Sequence, residues 1–361
     1  MAEAWKNMFN KETVGGFAQS IKSVYTQFKA SEFLNATVDE TWDSLELMAR
    51  GRKITTTMKE YLPSDYREAL SIMDKVIPIC EPFFKMCFPT YVELYGQDEE
   101  NWDLSIKAME LYTQYSSSEF AVRPFIIKHE KRMMEQMLAW SKHENEHVRR
   151  LSSEGCRPAL PWGQALNSFK KDPSPVITIL TQLKTDPSAY VRKSVANNLN
   201  DISKTHPDLI AKLAKDWYGK NDLTDWIVKH GCRTLLKKGN RDVLAIFGFD
   251  NVASIDVANF SIDVKTVAIG GEMTFSFDIT ANEATKVRLE YGIDYMKANG
   301  KQNRKIFQIS ELSFKKNQEK SYKKKHSFEE LSTRKHYPGA HSITLIVNGS
   351  ESGTLDFEVI E

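Results

Sequence analysis

The chain contains 361 residues, a length that predicts two domains rather than one. Apolar residues make up 41% and charged residues 27%, a balance that is typical of globular proteins and excludes a disordered chain. No run of about 18 uncharged apolar residues occurs, and the first residues lack the pattern of a secretory signal, so we expect neither a membrane span nor export. The four cysteines have no paired spacing, so a reduced, cytoplasmic protein without a metal cluster is expected.

The formal net charge of +1 conceals segments of opposite sign. Residues 1–118 hold 12 Lys and Arg against 18 Asp and Glu, whereas residues 119–250 hold 22 against 15. Residues 301–335 hold 11 basic residues against 4 acidic ones. Concentrated basic segments in a nearly neutral chain favour local anionic partners. Solvated helix and strand faces are the alternative, which charge alone leaves open.

The first two-thirds of the chain predicts helices. Apolar residues recur at helical spacing within residues 45–49, 106–112 and 133–138. Proline-containing breakers lie between such runs, and each supplies a residue suited to cap the next helix. These breakers begin at residues 62, 172, 186 and 206.

A weak internal repeat runs through this helical region. The pair Val148-Arg149 recurs 43 residues later as Val191-Arg192, Ile227-Val228 follows after another 36, and Val122-Arg123 is a degenerate earlier copy. A short turn followed by Val-Arg at a helix start, with a period near 40 residues, is typical of stacked HEAT-type helical hairpins. Each hairpin buries its face only against its neighbours, so residues 1–250 are predicted to form an α-solenoid with one concave surface.

After Phe249 the pattern changes to strands with a period of two. Seven short strands are predicted, at residues 254–257, 273–279, 286–291, 305–309, 321–328, 341–347 and 353–359. Turn signals such as Gly270-Gly271 and Asn348-Gly349 separate them. Residues 251–361 are therefore predicted to form an all-β, immunoglobulin-like sandwich without a disulfide, so the expected fold class is a multidomain chain of solenoid and sandwich.

The segment from His143 to His147 reads H-E-N-E-H and satisfies the H-E-x-x-H pattern of zinc proteases. That chemistry requires both histidines on one helical face and an open water position on the metal. Asn145 is a residue type suited to an N-cap, which would break the helix between the two histidines. We interpret the segment as a turn and expect no metal site.

The other familiar motifs of enzyme chemistry do not occur. The sequence contains no phosphate-binding loop, no dinucleotide fingerprint and no hydrolase elbow, so no cofactor is expected. The lysine-rich cluster at residues 321–326 fits two interpretations equally well. It is either a nucleic-acid patch or an edge strand protected by lysines.

Three stretches, residues 115–124, 146–163 and 190–204, carry a resemblance to a known family. The most specific run within them is Arg157-Pro158-Ala159-Leu160-Pro161-Trp162. Together they resemble the HEAT-like alkylpurine DNA glycosylases, specifically the AlkC branch with its C-terminal immunoglobulin-like domain. The resemblance covers essentially the whole chain. It implies excision of cationic methylated bases, chiefly 3-methyladenine and 3-methylcytosine, from double-stranded DNA without flipping the base into a pocket.

The resemblance also implies roles for particular residues. Glu119 and Asp201 would be the catalytic carboxylates of the cleft. The DNA-facing wall would be formed by Arg149, Arg150, Glu154, Arg157 and Trp162. Where the sister AlkD branch frames its carboxylate with two tryptophans, this chain has Tyr115 and Asn197, so that aromatic cradle is not assumed. Tyr115 and Trp162 either contact DNA or only pack within the solenoid.

Basic residues at two places are predicted to bind the DNA backbone. The repeat puts Arg149, Arg150 and Arg192 at helix starts, where bidentate pairing with phosphates is possible, and the alternative is a structural pairing with acids such as Glu154. In the C-terminal domain, Arg334 and Lys335 lie in a basic loop that is predicted to clamp the duplex. The alternatives for this domain are that it caps the solenoid or binds another protein.

The chemistry implied by the resemblance suits this set of residues. A base methylated at N3 is cationic and leaves as a neutral molecule, so no general acid is needed. A carboxylate about 4 Å from the positive charge that develops on the sugar is worth about 4 kcal/mol at an effective dielectric near 20, or roughly a thousandfold in rate. A buried N-cap or a partner for a repeat arginine is the structural alternative for each acid.

An enzyme is not the only function that such a chain could have. A non-enzymatic HEAT-repeat scaffold that binds protein or nucleic acid on its concave face is the alternative. For the glycosylase interpretation we expect a monomer whose partner is double-stranded DNA with alkylated bases, without contact to a membrane.

Overall fold

The computed structural model of the chain describes residues 5–330 and 335–361. Its regular elements are helices up to Ile246 and β-strands from Ile255 onward, which confirms the predicted fold class. The α-helices are α1 (Lys11–Val24), α2 (Ala30–Thr37), α3 (Leu47–Tyr61), α4 (Tyr66–Val76), α5 (Cys87–Tyr95), α6 (Trp102–Tyr112), α7 (Val122–Lys128), α8 (Glu130–Trp140), α9 (Glu146–Glu154), α10 (Asn167–Lys171), α11 (Ser174–Leu183), α12 (Ala189–Ile202), α13 (Pro207–Trp217), α14 (Asp222–Gly231), α15 (Arg233–Lys237) and α16 (Arg241–Ile246). The strands are β1 (Ile255–Ile262), β2 (Thr266–Ala268), β3 (Glu272–Ala281), β4 (Thr285–Met296), β5 (Gln302–Phe314), β6 (Gln318–Ser327), β7 (Gly339–Val347) and β8 (Ser350–Ile360). Among the described helices, none combines the length and the apolar character needed to cross a membrane.

The chain divides into two compact units whose border does not follow the change from helix to strand. The first, called the helical unit, contains the chain up to Thr205 together with Asn221–Gly231, and therefore α1–α12 and α14. The second, called the sandwich unit, contains His206–Lys220 and Cys232–Glu361. The predicted boundary near residue 250 lies between α16 and β1, but α13, α15 and α16 belong to the sandwich unit.

Helices begin where the sequence supplies caps. The Asp65 side chain precedes α4 and accepts a hydrogen bond from the backbone N–H of Glu68 at 2.8 Å. Asp172 accepts from the backbone N–H of Ser174 at 3.0 Å at the start of α11, and Pro207 is the first residue of α13. These side chains and the proline suit the first turn, whose N–H groups have no partner within the helix.

The repeated Val-Arg pair has a structural explanation in the helical unit. Val148 in α9 and Val191 in α12 are fully buried. The arginine that follows each valine donates from Nη1 to the backbone carbonyls five and six residues before it, at 2.7 and 3.0 Å for Arg149 and at 2.8 Å for both bonds of Arg192. One guanidinium has enough donors to satisfy several carbonyls. In each of these two repeats, the arginine therefore stabilises the turn that precedes its helix.

The sandwich unit contains a three-stranded sheet with the order β1-β3-β6 and a five-stranded sheet with the order β2-β8-β7-β4-β5. Seven of the described strands match the prediction, and β2, which pairs with β8 in parallel, was not predicted. It has three residues and only Val267 is buried, so it offers no alternation to detect. Apolar side chains from both sheets form one core that includes Phe275, Phe277, Leu289 and Leu345.

The lysine-rich segment at residues 321–326 belongs to β6, which lies at the edge of the three-stranded sheet. Tyr322 and His326 point to the core, whereas the lysines between and around them are exposed. Lys324 pairs with Phe275 in the register of β3 and β6, so it shares the core-facing side of the strand. A lysine on that side of an edge strand blocks pairing with a further strand. The edge-strand interpretation is thus supported, and the nucleic-acid interpretation stays a prediction.

The last helices are held to the strands by close backbone contacts. A Cβ atom on Gly239 would lie 2.8 Å from the carbonyl oxygen of Gly349, and both glycines have positive φ, 67° and 74°. Nearby, Arg241 donates to the Ser350 hydroxyl at 2.7 Å. Only glycine permits this approach and this backbone conformation without strain. The turn between β7 and β8 therefore seats α15 and α16 within the sandwich unit.

His341 in β7 is a buried histidine with a defined tautomer. Its Nε2 accepts from the backbone N–H of Met296 at 3.2 Å, so its proton lies on Nδ1, which donates to the Gly339 carbonyl at 2.8 Å. Burial lowers the pKa of the His341 imidazole. A second proton on Nε2 would remove the acceptor for Met296.

We expect acid to destabilise the sandwich unit through His341. Because the pKa is lower in the folded state, its contribution to stability is present above the unfolded pKa of about 6.5 and is lost as the pH falls below that value, by up to about 1.4 kcal/mol per pH unit. His341→Gln can form both hydrogen bonds without titrating, so this variant should lose that part of the pH dependence. Urea unfolding followed by far-UV circular dichroism at a series of pH values measures both. Identical slopes for the two proteins would contradict the assignment.

Candidate functional site

An open cleft of about 440 Å³ lies in the helical unit. Apolar residues that line it come from the start of α3, the 3-10 helix Pro82–Met86 and α5; they are Leu47, Met48, Phe83, Met86 and Pro89. Charged or polar residues come from α5, the segment before α7, the end of α9 and the loop after it; they include Glu93, Ser117, Glu119, Glu154 and Arg157. A cleft lined by apolar side chains and carboxylates can hold an organic cation or a sugar on which positive charge develops.

The charged wall belongs to a chain of ion pairs that alternates in sign. Arg150 contacts Glu119 at 2.8 Å and Glu154 at 3.6 Å. Arg157 contacts the same Glu154 oxygen at 2.7 Å and Asp201 at 2.8 Å. The chain is extended by Lys204, whose amino group lies 3.1 Å from the second Asp201 oxygen. Three carboxylates and three cations thus connect the segment before α7, α9 and α12.

Burial and charge act against each other on the two arginines of this chain. Burial disfavours the charged guanidinium, but the carboxylates of Glu119 and Glu154 outweigh it and raise the pKa of Arg150. Burial likewise opposes the charge of Arg157, and Glu154 and Asp201 more than compensate and raise its pKa. Paired in this way, the buried charges persist without the cost of isolated ions.

The two predicted catalytic carboxylates occupy different places. Glu119 lines the cleft, accepts a hydrogen bond from the Ser117 hydroxyl at 2.8 Å, and has a side chain that is 17% exposed. Asp201 lies in the last turn of α12 with a side chain only 3% exposed, and Arg157 connects it to the cleft. Glu154, predicted as part of the DNA-facing wall, does line the cleft. The three acids are linked through Arg150 and Arg157 but lie at different depths: Glu119 and Glu154 line the cleft, and Asp201 lies behind Arg157.

Trp162 is the most exposed large apolar residue among those the structure describes, at 85%. It lines the cleft and has a positive φ of 62°, a conformation that costs a non-glycine residue about 1–2 kcal/mol. Its side chain thus gains little from packing and its backbone is strained. An exposed ring on a strained backbone is typical of a residue that contacts a ligand, and contact of Trp162 with DNA stays a prediction.

Arg123 is an important residue that the sequence did not single out. It is 1% exposed and donates from Nη1 to the carbonyls of Gly155 and Arg157, both at 3.0 Å, and from Nε to the carbonyl of Gln164. Burial lowers its pKa to about 10. Arg123 therefore fastens both ends of the loop that carries Arg157 and Trp162. Its place in the degenerate first copy of the Val-Arg repeat was the available signal.

The other predicted residues have defined surroundings. Tyr115 is 42% exposed and its ring lies 5.0 Å from the Lys85 amino group, and its contact with DNA stays a prediction. Arg149 forms a bidentate pair with Asp186 at 2.6 and 3.2 Å. This pair is additional to its contacts with the backbone carbonyls before α9, which are of the same kind as those of Arg192 before α12. A pairing with acids, the structural alternative for these arginines, is therefore present for Arg149 with Asp186 and for Arg150 with Glu119 and Glu154. Whether Arg149, Arg150 and Arg192 also meet phosphates remains a prediction.

In the sandwich unit, Lys335 is exposed and its amino group lies 5.9 Å from the ring of Tyr337. Arg334 lies outside the described residues.

In the helical unit, a further aromatic contact was not predicted: the Tyr190 ring lies 4.8 Å from the Arg150 guanidinium. Tyr190 thus restricts the arginine that pairs with Glu119.

The H-E-x-x-H segment is divided as the sequence predicts. The Asn145 side chain accepts from the backbone N–H of His147 at 2.8 Å and caps α9, which begins at Glu146. His143 lies before the helix, and its Nδ1 accepts from the backbone N–H of Asn145 at 3.0 Å. The two histidines therefore do not share a helical face. No group of three or more His, Cys, Asp or Glu residues able to hold a metal ion is found within residues 5–330 and 335–361.

Comparisons with known proteins agree with this architecture. A family model described as "DNA alkylation repair enzyme" matches residues 97–235, and one described as "Uncharacterised protein YhaZ, C-terminal Ig-like domain" matches residues 256–361. The uncharacterized protein YhaZ of Bacillus subtilis (strain 168) is 48% identical over 354 residues, which cover 98% of this chain and 99% of the relative. The structure of Pseudomonas fluorescens alkylpurine DNA glycosylase AlkC, bound to DNA with an abasic site analog, is similar over 99% of this chain and 100% of AlkC, with a TM-score of 0.95 and 33% identity.

Helical repeats with a carboxylate-lined cleft, followed by an immunoglobulin-like domain, define a class of DNA alkylation repair proteins. This chain belongs to that family, in the AlkC branch, and so the resemblance seen in the sequence is confirmed.

We expect Trp162→Gly to separate binding from stability. Glycine relieves the left-handed strain of about 1–2 kcal/mol and costs about 0.5–1 kcal/mol in chain entropy, so the free energy of unfolding should stay level or rise slightly. Loss of the ring should weaken binding to a duplex with an abasic site analogue about tenfold, the size of one lost stacking contact. Denaturant titration and fluorescence anisotropy measure the two effects.

Asn317→Gly is the matched control for this variant. Asn317 also has a positive φ, 60°, and lies in the turn between β5 and β6. It should show the same small effect on stability without any loss of DNA affinity. A strong destabilisation by Trp162→Gly would show instead that the ring is part of the packing.

Proposed function

We propose that this protein is a DNA glycosylase that hydrolyses the N-glycosidic bond of cationic alkylated bases in duplex DNA. The observation that carries the proposal is the open cleft, which Glu119 and Glu154 line together with apolar side chains and the exposed Trp162. The family membership supports it, and so does the similarity to AlkC, whose structure holds DNA with an abasic site analogue, the kind of site that base excision leaves. The substrates proposed are 3-methyladenine and 3-methylcytosine.

The reaction needs stabilisation of charge more than proton transfer to the base. The bond between C1′ and the base nitrogen breaks, its electron pair leaves with the base, and the base becomes neutral while positive charge develops at C1′ and O4′. Water then adds to C1′ and releases a proton. A carboxylate next to the sugar lowers the energy of the cationic state and can accept that proton. Glu119 is the carboxylate best placed for this role, because it lines the cleft.

The ion pairs of the cleft constrain this chemistry. The negative charge of Glu119 is partly offset by Arg150 at 2.8 Å, and that of Asp201 by Arg157 and Lys204. We propose that DNA phosphates compete for these cations and so increase the field of the carboxylates at the sugar. Asp201 would then act as a second carboxylate behind Arg157. Because the cleft is open, the carboxylates can act on a base that is not flipped into a pocket.

We expect Glu119→Gln and Asp201→Asn to lose excision activity by roughly ten- to a thousandfold, because each removes part of the electrostatic stabilisation. Affinity for a duplex with an abasic site analogue should be kept. Single-turnover release of 3-methyladenine from methylated DNA measures the first quantity and fluorescence anisotropy the second. Wild-type rates for both amides would contradict the assignment.

Asp186→Asn is the matched control, since Asp186 is another buried carboxylate that pairs with an arginine, Arg149, and has a side chain 4% exposed. It should lower stability and leave the single-turnover rate of the folded protein unchanged. Binding of DNA by the wild-type protein without any base release would favour a non-enzymatic DNA-binding scaffold.

The C-terminal domain is proposed to contact the duplex through its basic loop. Since α15 and α16 pack with the strands, removing residues after 250 would cut through the sandwich unit, and point variants test the contact more cleanly. We expect Arg334→Ala with Lys335→Ala to reduce the magnitude of the log–log salt slope of DNA binding by up to about two, one for each lost phosphate contact. The pair Lys11→Ala with Lys22→Ala, on α1, is the control of equal charge change. The same slope for both double variants would exclude the contact.

A further inference from the structure

A second compartment of about 310 Å³ adjoins the cleft in the helical unit. The first compartment, called the carboxylate compartment, is the cleft with Glu119, Glu154 and Arg157. The second, called the arginine compartment, is lined by Arg52, Arg123 and Gln164. The residues that line both compartments, and so lie between them, are Met48, Met86, Thr90, Glu93, Phe120 and Trp162. The exposed ring of Trp162 thus belongs to both.

The two compartments differ in charge. The titratable residues that line the carboxylate compartment are three glutamates and one arginine, a formal charge of −2. Those that line the arginine compartment are two arginines and Glu93, a formal charge of +1. A cation is favoured on one side of Trp162 and an anion on the other.

The arginines of the second compartment have unused hydrogen-bonding capacity. Arg52 has a side chain 56% exposed, and its contact with Glu93 is long, at 3.5 Å. Arg123 is almost completely buried, it donates only to backbone carbonyls, and its Nη2 has no hydrogen-bond partner among the described residues. A buried guanidinium donor without a partner is costly, and an anion next to it lowers that cost.

We infer that the arginine compartment binds one phosphodiester group of the DNA backbone directly next to the damaged nucleotide. This inference rests on the proposed function. Each deoxyribose is joined through its 3′ and 5′ oxygens to phosphates, so a sugar in front of Glu119 brings an anion to the adjoining space. Arg52 contacts that phosphate directly, and the charge of Arg123 behind it favours the anion. The cationic sugar and its anionic neighbour in the transition state thus match the charges of the two compartments.

Variants of Arg52 and Glu93 are expected to change the affinity for DNA in opposite directions. It lines both compartments and competes with the phosphate for Arg52. Arg52→Ala should weaken binding to a duplex with an abasic site analogue about tenfold and reduce the magnitude of the salt slope by about one. Glu93→Gln should instead strengthen binding, since it removes a negative charge beside the anion. If the pair were only structural, both variants would act in the same direction.

The phosphate itself is identified by replacing single backbone phosphates with uncharged methylphosphonates on either side of the abasic analogue. Loss of charge at the contacted phosphate should weaken binding to the wild-type protein and have little further effect on Arg52→Ala, so that the two changes are not additive. The control is Arg132→Ala, another partly exposed arginine with a glutamate partner, Glu99, and it should be additive with every methylphosphonate.

Additive effects of Arg52→Ala at every position would overturn the inference. That outcome differs from a failure of the proposed function, because binding to an abasic analogue needs no catalysis. If the wild-type protein binds this duplex but releases no methylated base, the proposed activity is wrong. The phosphate site is then still tested by whether the effects of Arg52→Ala and of a single methylphosphonate are additive.

Discussion

Arg157 holds two buried carboxylates that come from successive repeats, Glu154 of α9 at 2.7 Å and Asp201 of α12 at 2.8 Å. Removing one partner from such a buried pair typically lowers the free energy of unfolding by about 3–5 kcal/mol, because the remaining charge is buried without a partner and away from solvent. Arg157 is the cation that these two acids share, so the burial of Glu154 and Asp201 beside each other depends on this guanidinium. The position of Arg157 depends in turn on Arg123, which binds its backbone carbonyl.

The solenoid uses its arginines in two different ways. Arg149 and Arg192, the arginines of the repeat, satisfy the backbone carbonyls of the turn before their own helix, and so they recur with the period of the fold. Arg150, which follows the repeat arginine Arg149, and Arg157, in the loop after α9, instead pair with acids of the cleft. Arginines of the first kind thus stabilise the scaffold, whereas those of the second kind hold the acids of the site.

Sequence reasoning was most successful where the cause is local. Caps such as Asp65 and Asn145, the buried valines and the alternation in the strands act over a few residues and can be recognised in any sequence. Contacts between distant segments could not be predicted in this way: Arg123 reaches Gln164, 41 residues away, and α13 belongs to the same compact unit as the strands. The resemblance to a family supplied Glu119 and Asp201, but only the structure shows that one lines the cleft and the other lies behind Arg157.

An open cleft suits the proposed chemistry for a physical reason. A neutral damaged base needs a proton donor to leave, and a donor must touch the base, which requires an enclosing pocket. A cationic base leaves without that help, so a carboxylate field acting on the sugar from one side is sufficient. Bare carboxylates, however, would repel the phosphates on either side of that sugar. Alternating the acids with Arg150 and Arg157 limits this repulsion, and an adjoining compartment with Arg52 and Arg123 turns it into attraction at the neighbouring phosphate. The same arrangement of charge then favours both the negative backbone and the positive sugar between its phosphates.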